Sequence, residues 1–293
     1  MFFSFFSPFA CGPASPPEFS GQRAYEILKD FCAFGPRVPA SEAQRKAGDF
    51  IAASFQKKPF SLTRQEFVYR DSLKNVELSL VNFIAAFHPE RKKRILLCTH
   101  WDSRPYADQE KDSSLHNQPI VGANDGGSGV AVLLGLADIL AQKDPRVGVD
   151  LVFFDGEDYG PSDVSDQYFL GSKYFAKNMG DYHIEYGILL DMVGDFDLNI
   201  YQEKYSTAYA AAINRKVFVR AQKLGLSAFV SRPKYAIMDD HLPLLEKGLP
   251  VIDLIDFDYP FWHTLKDTPE ACSPKSLEQV GRLLVSLLYE PEE

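Results

Sequence analysis

Arg94-Ile95-Leu96-Leu97-Cys98-Thr99-His100-Trp101-Asp102 is the stretch on which the fold turns. Ile95 to Cys98 leaves no polar face, the pattern of a β-strand covered on both sides. The run then stops at an imidazole and a carboxylate. Three other runs end the same way: Leu151-Val152-Phe153-Phe154 at Asp155, Glu157 and Asp158, Gly187-Ile188-Leu189-Leu190 at Asp191, and Val251-Ile252 at Asp253 and Asp256. Asp125 opens a glycine-rich turn ahead of a helical segment, and His263 follows Trp262. Buried strands that end in carboxylates and imidazole predict an α/β sheet with a metal site at its carboxyl edge.

Outward from that stretch, strand-like and helix-like segments alternate. An apolar stripe of Tyr25, Ile27, Leu28, Phe31 and Cys32 predicts a helix within Pro16–Phe34, ended by Gly35-Pro36. Ser41 with Gln44 forms a capping box that starts a helix running to Phe55. Arg64–Tyr69 and Val76–Phe87 read as a strand pair. Val130–Leu140 is apolar all round, hence a buried helix. A short helix is expected over Gly171–Asn178 and one long helix over Thr207–Leu224. Ser273-Pro274 opens a terminal helix with Leu277, Val280, Leu283, Leu284 and Leu287 on one face.

The chain has 293 residues, 45% of them hydrophobic, and a formal net charge of −9. With no linker in sight, residues 18–293 read as one domain. The acidic balance argues against a nucleic-acid partner. Residues 1–17 differ: Phe2, Phe3, Phe5, Phe6 and Phe9 precede Cys11, which reads either as an export signal ending in a lipid-attachment cysteine or as a disordered segment. The export reading places the protein in the periplasm or anchored to the envelope. No other stretch is long and apolar enough to span a membrane. There is no CxxC, which argues against a zinc ribbon. Cys98 reads as a buried hydrophobe, and Cys32 and Cys272 are candidates to pair in an exported protein.

Asp125, Asp158 and His263 offer two carboxylates and an imidazole, a set suited to zinc with an open fourth position. His100, Asp102 and Asp191 are candidates for a second metal, with Asp125 as the bridge. Taken singly, each is more often a cap, a turn residue or a solvated charge; their joint placement at strand ends is what favours a metal. In Glu157-Asp158 one acid can bind metal while its neighbour faces substrate as a general base. The plain alternative is charge at a helix N-terminus. Gly126-Gly127-Ser128-Gly129 lacks a Walker lysine and reads as a sharp turn behind Asp125. Ser103 and Ser128 have no nucleophile-elbow context. Trp101 and Trp262 each adjoin a candidate histidine, and with Phe257, Tyr259 and Phe261 they suggest a hydrophobic mouth to a pocket.

His100-Trp101-Asp102-Ser103, Gly122-Ala123-Asn124-Asp125, Phe153-Phe154-Asp155-Gly156-Glu157-Asp158, Leu189-Leu190-Asp191-Met192-Val193-Gly194, Asp239-Asp240-His241-Leu242-Pro243 and Trp262-His263-Thr264 occur in an order that resembles the zinc aminopeptidase (M28-like) superfamily. Within it the chain looks most like the animal-type glutaminyl cyclases and their bacterial relatives, over roughly Arg23–Tyr289. The resemblance implies a three-layer α/β/α sandwich on a twisted, mostly parallel mixed sheet. It implies one Zn2+ on Asp125, Asp158 and His263, a proton-shuttling Glu157, Asp191 and Asp239 in the network beside it, and Trp262 as a pocket wall. The implied substrates are peptides or proteins with N-terminal glutamine. The chain departs from the animal pattern at Asp158, where a glutamate is usual, at Asp253, where a histidine is usual, and in Tyr159-Gly160-Pro161-Ser162-Asp163, which lacks a tryptophan. Two zinc ions, with His100 and Asp191 completing the second site, would instead make an aminopeptidase. A peptide-binding module without catalysis is the third alternative.

Overall fold

The structure, a computed structural model, describes residues 15–161 and 164–290. Cys11 and the export-like run therefore lie outside the described residues. The chain enters through α1 (Gly21–Cys32) and α2 (Glu42–Phe55). Ser20 and Ser41 cap them, accepting from the N–H groups of Arg23 and Gln44. Helix α1 starts later than the stripe alone suggests, because Pro16 and Pro17 hold the lead-in extended and Ser20 supplies the first cap.

β1 (Phe60–Asp71) and β2 (Val76–Phe87) form a hairpin, longer than expected at β1, in register from Phe60 opposite Phe87 to Asp71 opposite Val76. The Asp71 carboxylate accepts from the N–H groups of Leu73 and Lys74 and closes the turn. β3 (Arg94–His100), α3 (Ser128–Leu140), β4 (Gly148–Phe154), α4 (Leu170–Asn178) and β5 (Tyr186–Asp191) follow. After them come β6 (Ile200–Gln202), α5 (Lys204–Tyr209), α6 (Ala211–Lys223), β7 (Phe229–Pro233), α7 (His241–Glu246), β8 (Val251–Ile255) and α8 (Pro274–Tyr289).

One sheet runs in the order β1-β2-β4-β3-β5-β8. Its β4-β3-β5-β8 part is parallel, and the β1-β2 hairpin joins β4 antiparallel. The continuous apolar runs serve two cores at once, because successive side chains on a strand point to opposite faces. Ile95, Leu97, Leu151, Phe153, Ile188 and Leu190 pack into the core that holds α1, α3 and α8. Leu96, Cys98, Val152, Phe154 and Leu189 pack into the other, under Phe175 of α4 and Leu244 of α7. The sandwich therefore has helices on both faces. Strands β3, β4 and β5 are apolar through their middles for this reason, apart from Asp150 of β4, which is buried against Arg94.

Three expectations are corrected. Residues 204–223 form two helices instead of one long helix: Ala210, at φ −130° and ψ 37°, breaks them. No residue there is a helix breaker; the bend lets α5 lie on β8 while α6 packs on α8, so packing overrides propensity. β6 and β7, a small parallel pair, were not legible in the sequence. Cys32, Cys98 and Cys272 are buried free thiols, so Cys32 and Cys272 do not pair. Burial pushes the Cys32 thiol up to about 12, which keeps it protonated and unreactive.

Candidate metal centre and active site

The strand ends deliver their polar residues to one place. His100 closes β3, Asp191 closes β5, and Glu157-Asp158 follow β4. Asp125 arrives from the turn before α3, where Gly126 takes φ 76°. A Cβ at Gly126 would stand 2.7 Å from His100 Cε1 and 2.9 Å from the Asp102 carbonyl oxygen, so only glycine lets this turn close on β3. His263 comes from the segment after β8.

Asp125, Asp158 and His263 bring one ligand atom each within 4.8 Å of one another. His263 Nε2 lies 3.6 Å from Asp125 Oδ2 and 3.5 Å from Asp158 Oδ2. Both oxygens are buried and have no hydrogen-bond partner. Ligand atoms ~2.0–2.1 Å from a tetrahedral zinc stand roughly 3.3 Å apart, so the three donors fit that ion. Unpartnered buried carboxylate oxygens are costly unless a cation meets them. His263 Nδ1 lies 3.1 Å from Asp108 Oδ1, the outer carboxylate that orients a ligating imidazole.

A second group forms from His100, Asp125 and Asp191. His100 Nε2 sits 3.1 Å from Asp125 Oδ1 and 3.2 Å from Asp191 Oδ1. Burial opposes protonation of His100, but its contacts with Asp102, Asp125 and Asp191 prevail and raise its pKa well above the ordinary value. Asp102 is not a candidate ligand: its two oxygens accept the N–H groups of Glu157 at 3.1 Å and Asp158 at 3.2 Å. It holds the turn of Glu157 and Asp158 in place instead.

A cavity of about 230 Å³ opens on this cluster, lined by Glu157, Asp158, Asp191, Asp239, Trp262 and His263 among others. Tyr168, Phe169, Met192, Ile237, Met238, Ile255 and Phe257 supply its apolar walls. Three of its wall residues, Phe169, Met192 and His263, hold positive φ without being glycine. Such strain clusters where a site over-determines its backbone. Burial raises the Glu157 carboxyl well above the usual carboxylate range; His100 opposes this, and Asp158, Asp239 and Asp240 reinforce it. A carboxyl so placed can hold a proton near neutrality and exchange it. Asp239, His241 and Asp253 form a third buried cluster behind the cavity, with Asp239 Oδ2 and both Asp253 oxygens unpartnered.

Three expected wall residues are elsewhere: Trp101, Phe261 and Tyr259, the last buried with its hydroxyl donating to Asp267 Oδ1. Trp101 lies one residue past the end of β3, and its side chain turns away from the His100 cluster. It is buried edge-on against Phe83 and donates its Nε1–H to the Val81 carbonyl, away from the cavity. Phe261, next to Trp262, packs on Tyr259 and does not line the cavity. Sequence reading missed Arg104, Asp108 and Asp267. Arg104 is fully buried and binds Asp158 and Asp108. Asp267 accepts from the N–H groups of Asn124 and Asp125 and braces the ligand turn. The usable signal was position: Arg104 and Asp108 closely follow the His100 motif, and Asp267 closely follows His263.

Residues 82–288 match the family described as Peptidase family M28. A Zn-dependent exopeptidase from Parabacteroides distasonis superposes with a TM-score of 0.91 at 38% identity, covering 94% of this chain and 100% of that one. Tannerella forsythia glutaminyl cyclase gives 0.90 at 39% identity, covering 94% and 100%. The glutaminyl-peptide cyclotransferase-like protein of Bos taurus is 28% identical over 244 residues. That alignment covers 73% of this chain and 61% of the bovine protein's length.

Proposed function

Because this chain belongs to peptidase family M28, we propose that its M28 site is used for intramolecular aminoacyl transfer: cyclisation of an N-terminal glutamine to pyroglutamate with release of ammonia. The observation that carries this over hydrolysis is an asymmetry between the two ligand groups. Asp125 Oδ2 and Asp158 Oδ2, which face His263, lack partners. On the other side, His100 Nε2 lies within hydrogen-bond distance of Asp125 Oδ1 and Asp191 Oδ1. Those contacts engage on His100 itself the oxygens that a two-metal aminopeptidase would turn to a second ion. One zinc per chain, on Asp125, Asp158 and His263, follows.

Zinc so held is a Lewis acid that would polarise the γ-amide carbonyl of the substrate. Glu157 accepts a proton as the α-amine bonds to the γ-carbon, and returns a proton to the nitrogen that leaves as ammonia. Asp239, which faces the same cavity, helps to hold the proton affinity of Glu157 up, and Asp191 lines the cavity with it. Nucleophile and electrophile belong to one residue, so the pocket's task is to fold that side chain back and exclude water, for which Trp262 and Phe257 are suited. The apolar run before Cys11 supports export and attachment to the envelope through that cysteine.

Incubation with matched peptides beginning in Gln and in Leu tests the assignment. Ammonia and a pyroglutamyl peptide are expected from the first, with no free leucine from the second. Release of leucine with two tightly held metal ions per chain would instead establish a hydrolase.

A further inference from the structure

We propose that Arg104 is a positioning residue that sets two of the three ligands of the zinc site, Asp158 and His263, and one wall of the pocket as a single unit. The proposal rests on the assignment of Asp125, Asp158 and His263 as a metal centre. Arg104 is wholly buried, and each face of its guanidinium edge is used. Nη1 donates to Asp158 Oδ1 at 2.5 Å. Nε and Nη2 donate to the two oxygens of Asp108 at 3.1 and 2.6 Å. Nη2 also donates to the Tyr168 hydroxyl at 3.0 Å.

Each contact has a consequence at the site. Asp158 has one oxygen occupied by Arg104, so only Oδ2 is turned to the ligand group, and Asp158 is restricted to single-oxygen ligation. Asp108, clamped at both oxygens, presents Oδ1 to His263 Nδ1, which leaves Nε2 facing Asp125 and Asp158. Tyr168 lines the cavity and is tied to the same guanidinium. A lysine would keep the charge but could not span three partners, because its ammonium is a point donor and not a planar fork. Without the Arg104 cation, the buried Asp158 carboxylate and the half-buried Asp108 would lose the positive charge they share.

The test reads zinc affinity first, by competition with a chromophoric chelator, which needs no turnover. Arg104→Lys should bind zinc ~10–100-fold more weakly than the parent, the usual cost of losing an outer-shell partner, and should raise KM for a Gln-initial peptide. Asp108→Asn should weaken zinc with little change in KM beyond it. Tyr168→Phe should leave zinc affinity unchanged and raise KM about threefold by freeing the wall. Zinc binding by folded Arg104→Lys within twofold of the parent overturns the clamp; if that variant does not fold, parental zinc affinity in Asp108→Asn overturns it. Unchanged KM in Tyr168→Phe overturns the coupling to the wall. A parent that binds zinc but leaves Gln-initial peptides untouched would refute cyclisation while the affinity series still decides the role of Arg104.

Discussion

In the proposed reaction Glu157 is the side chain that moves the proton, and it faces the cavity. Glu157→Gln keeps the shape and removes the proton acceptor, so kcat should fall by ~10²–10⁴ while zinc content by mass spectrometry stays at the parental level. The buried acids behind the cavity predict a pH dependence. Burial, then Asp239, Asp191, Glu203 and Asp240, raises Asp253 well above the usual range, and burial raises Asp240 to about 7. Unfolded, both acids return to near 3.9. The folded state therefore binds more protons between about pH 4 and 7, and stability is full below that window and declines as pH rises through it. Asp253→Asn mimics the neutral carboxyl, so the metal-free variant should lose less thermal stability than the parent between pH 5 and pH 8; an equal loss would exclude Asp253 as a source. The residues that cluster at the sheet's edge were legible because carboxylates and imidazole after an apolar strand are conspicuous. Arg104 and Asp108 were not, because a polar residue in a polar segment looks the same whether solvated or buried. Trp101 departs from expectation because adjacency to His100 in sequence does not put the two side chains on one side of the chain, and the indole packs on β2 instead.

The turn from Gly122 to Gly127 is the element that brings Asp125 to β3. Gly126→Ala would combine a positive φ with a Cβ pressed against His100 and a backbone carbonyl. A loss of about 1–3 kcal/mol of stability is expected, together with weaker zinc binding, measured by thermal melts with and without added zinc. The strands with continuous apolar runs were read correctly, since burial on both faces leaves an unambiguous trace. Elements of a few residues carry no such trace: β6 has three residues, and its pairing with β7 depends on partners distant in sequence. The break at Ala210 is invisible for the same reason, because it answers to what α5 and α6 touch and not to their own composition.

At the scale of the whole molecule, the proposed zinc centre should link metal binding to folding. An ion that binds only the folded chain stabilises it by about 2.7 kcal/mol at a hundredfold excess over Kd, so chelation should lower Tm by about 5–10 °C. A chelator that leaves Tm unmoved would deny that the centre is loaded. The layered fold also decides when such a chain can become stable. Helix α1 packs on α3 and α8, and Phe19 lies against Gly281 of α8. On the ribosome, the greasy side of that first helix emerges long before its last companion has been synthesised. A nascent protein of this design should linger with sticky surface bare, and chaperones that hold unfinished chains would find their earliest foothold there.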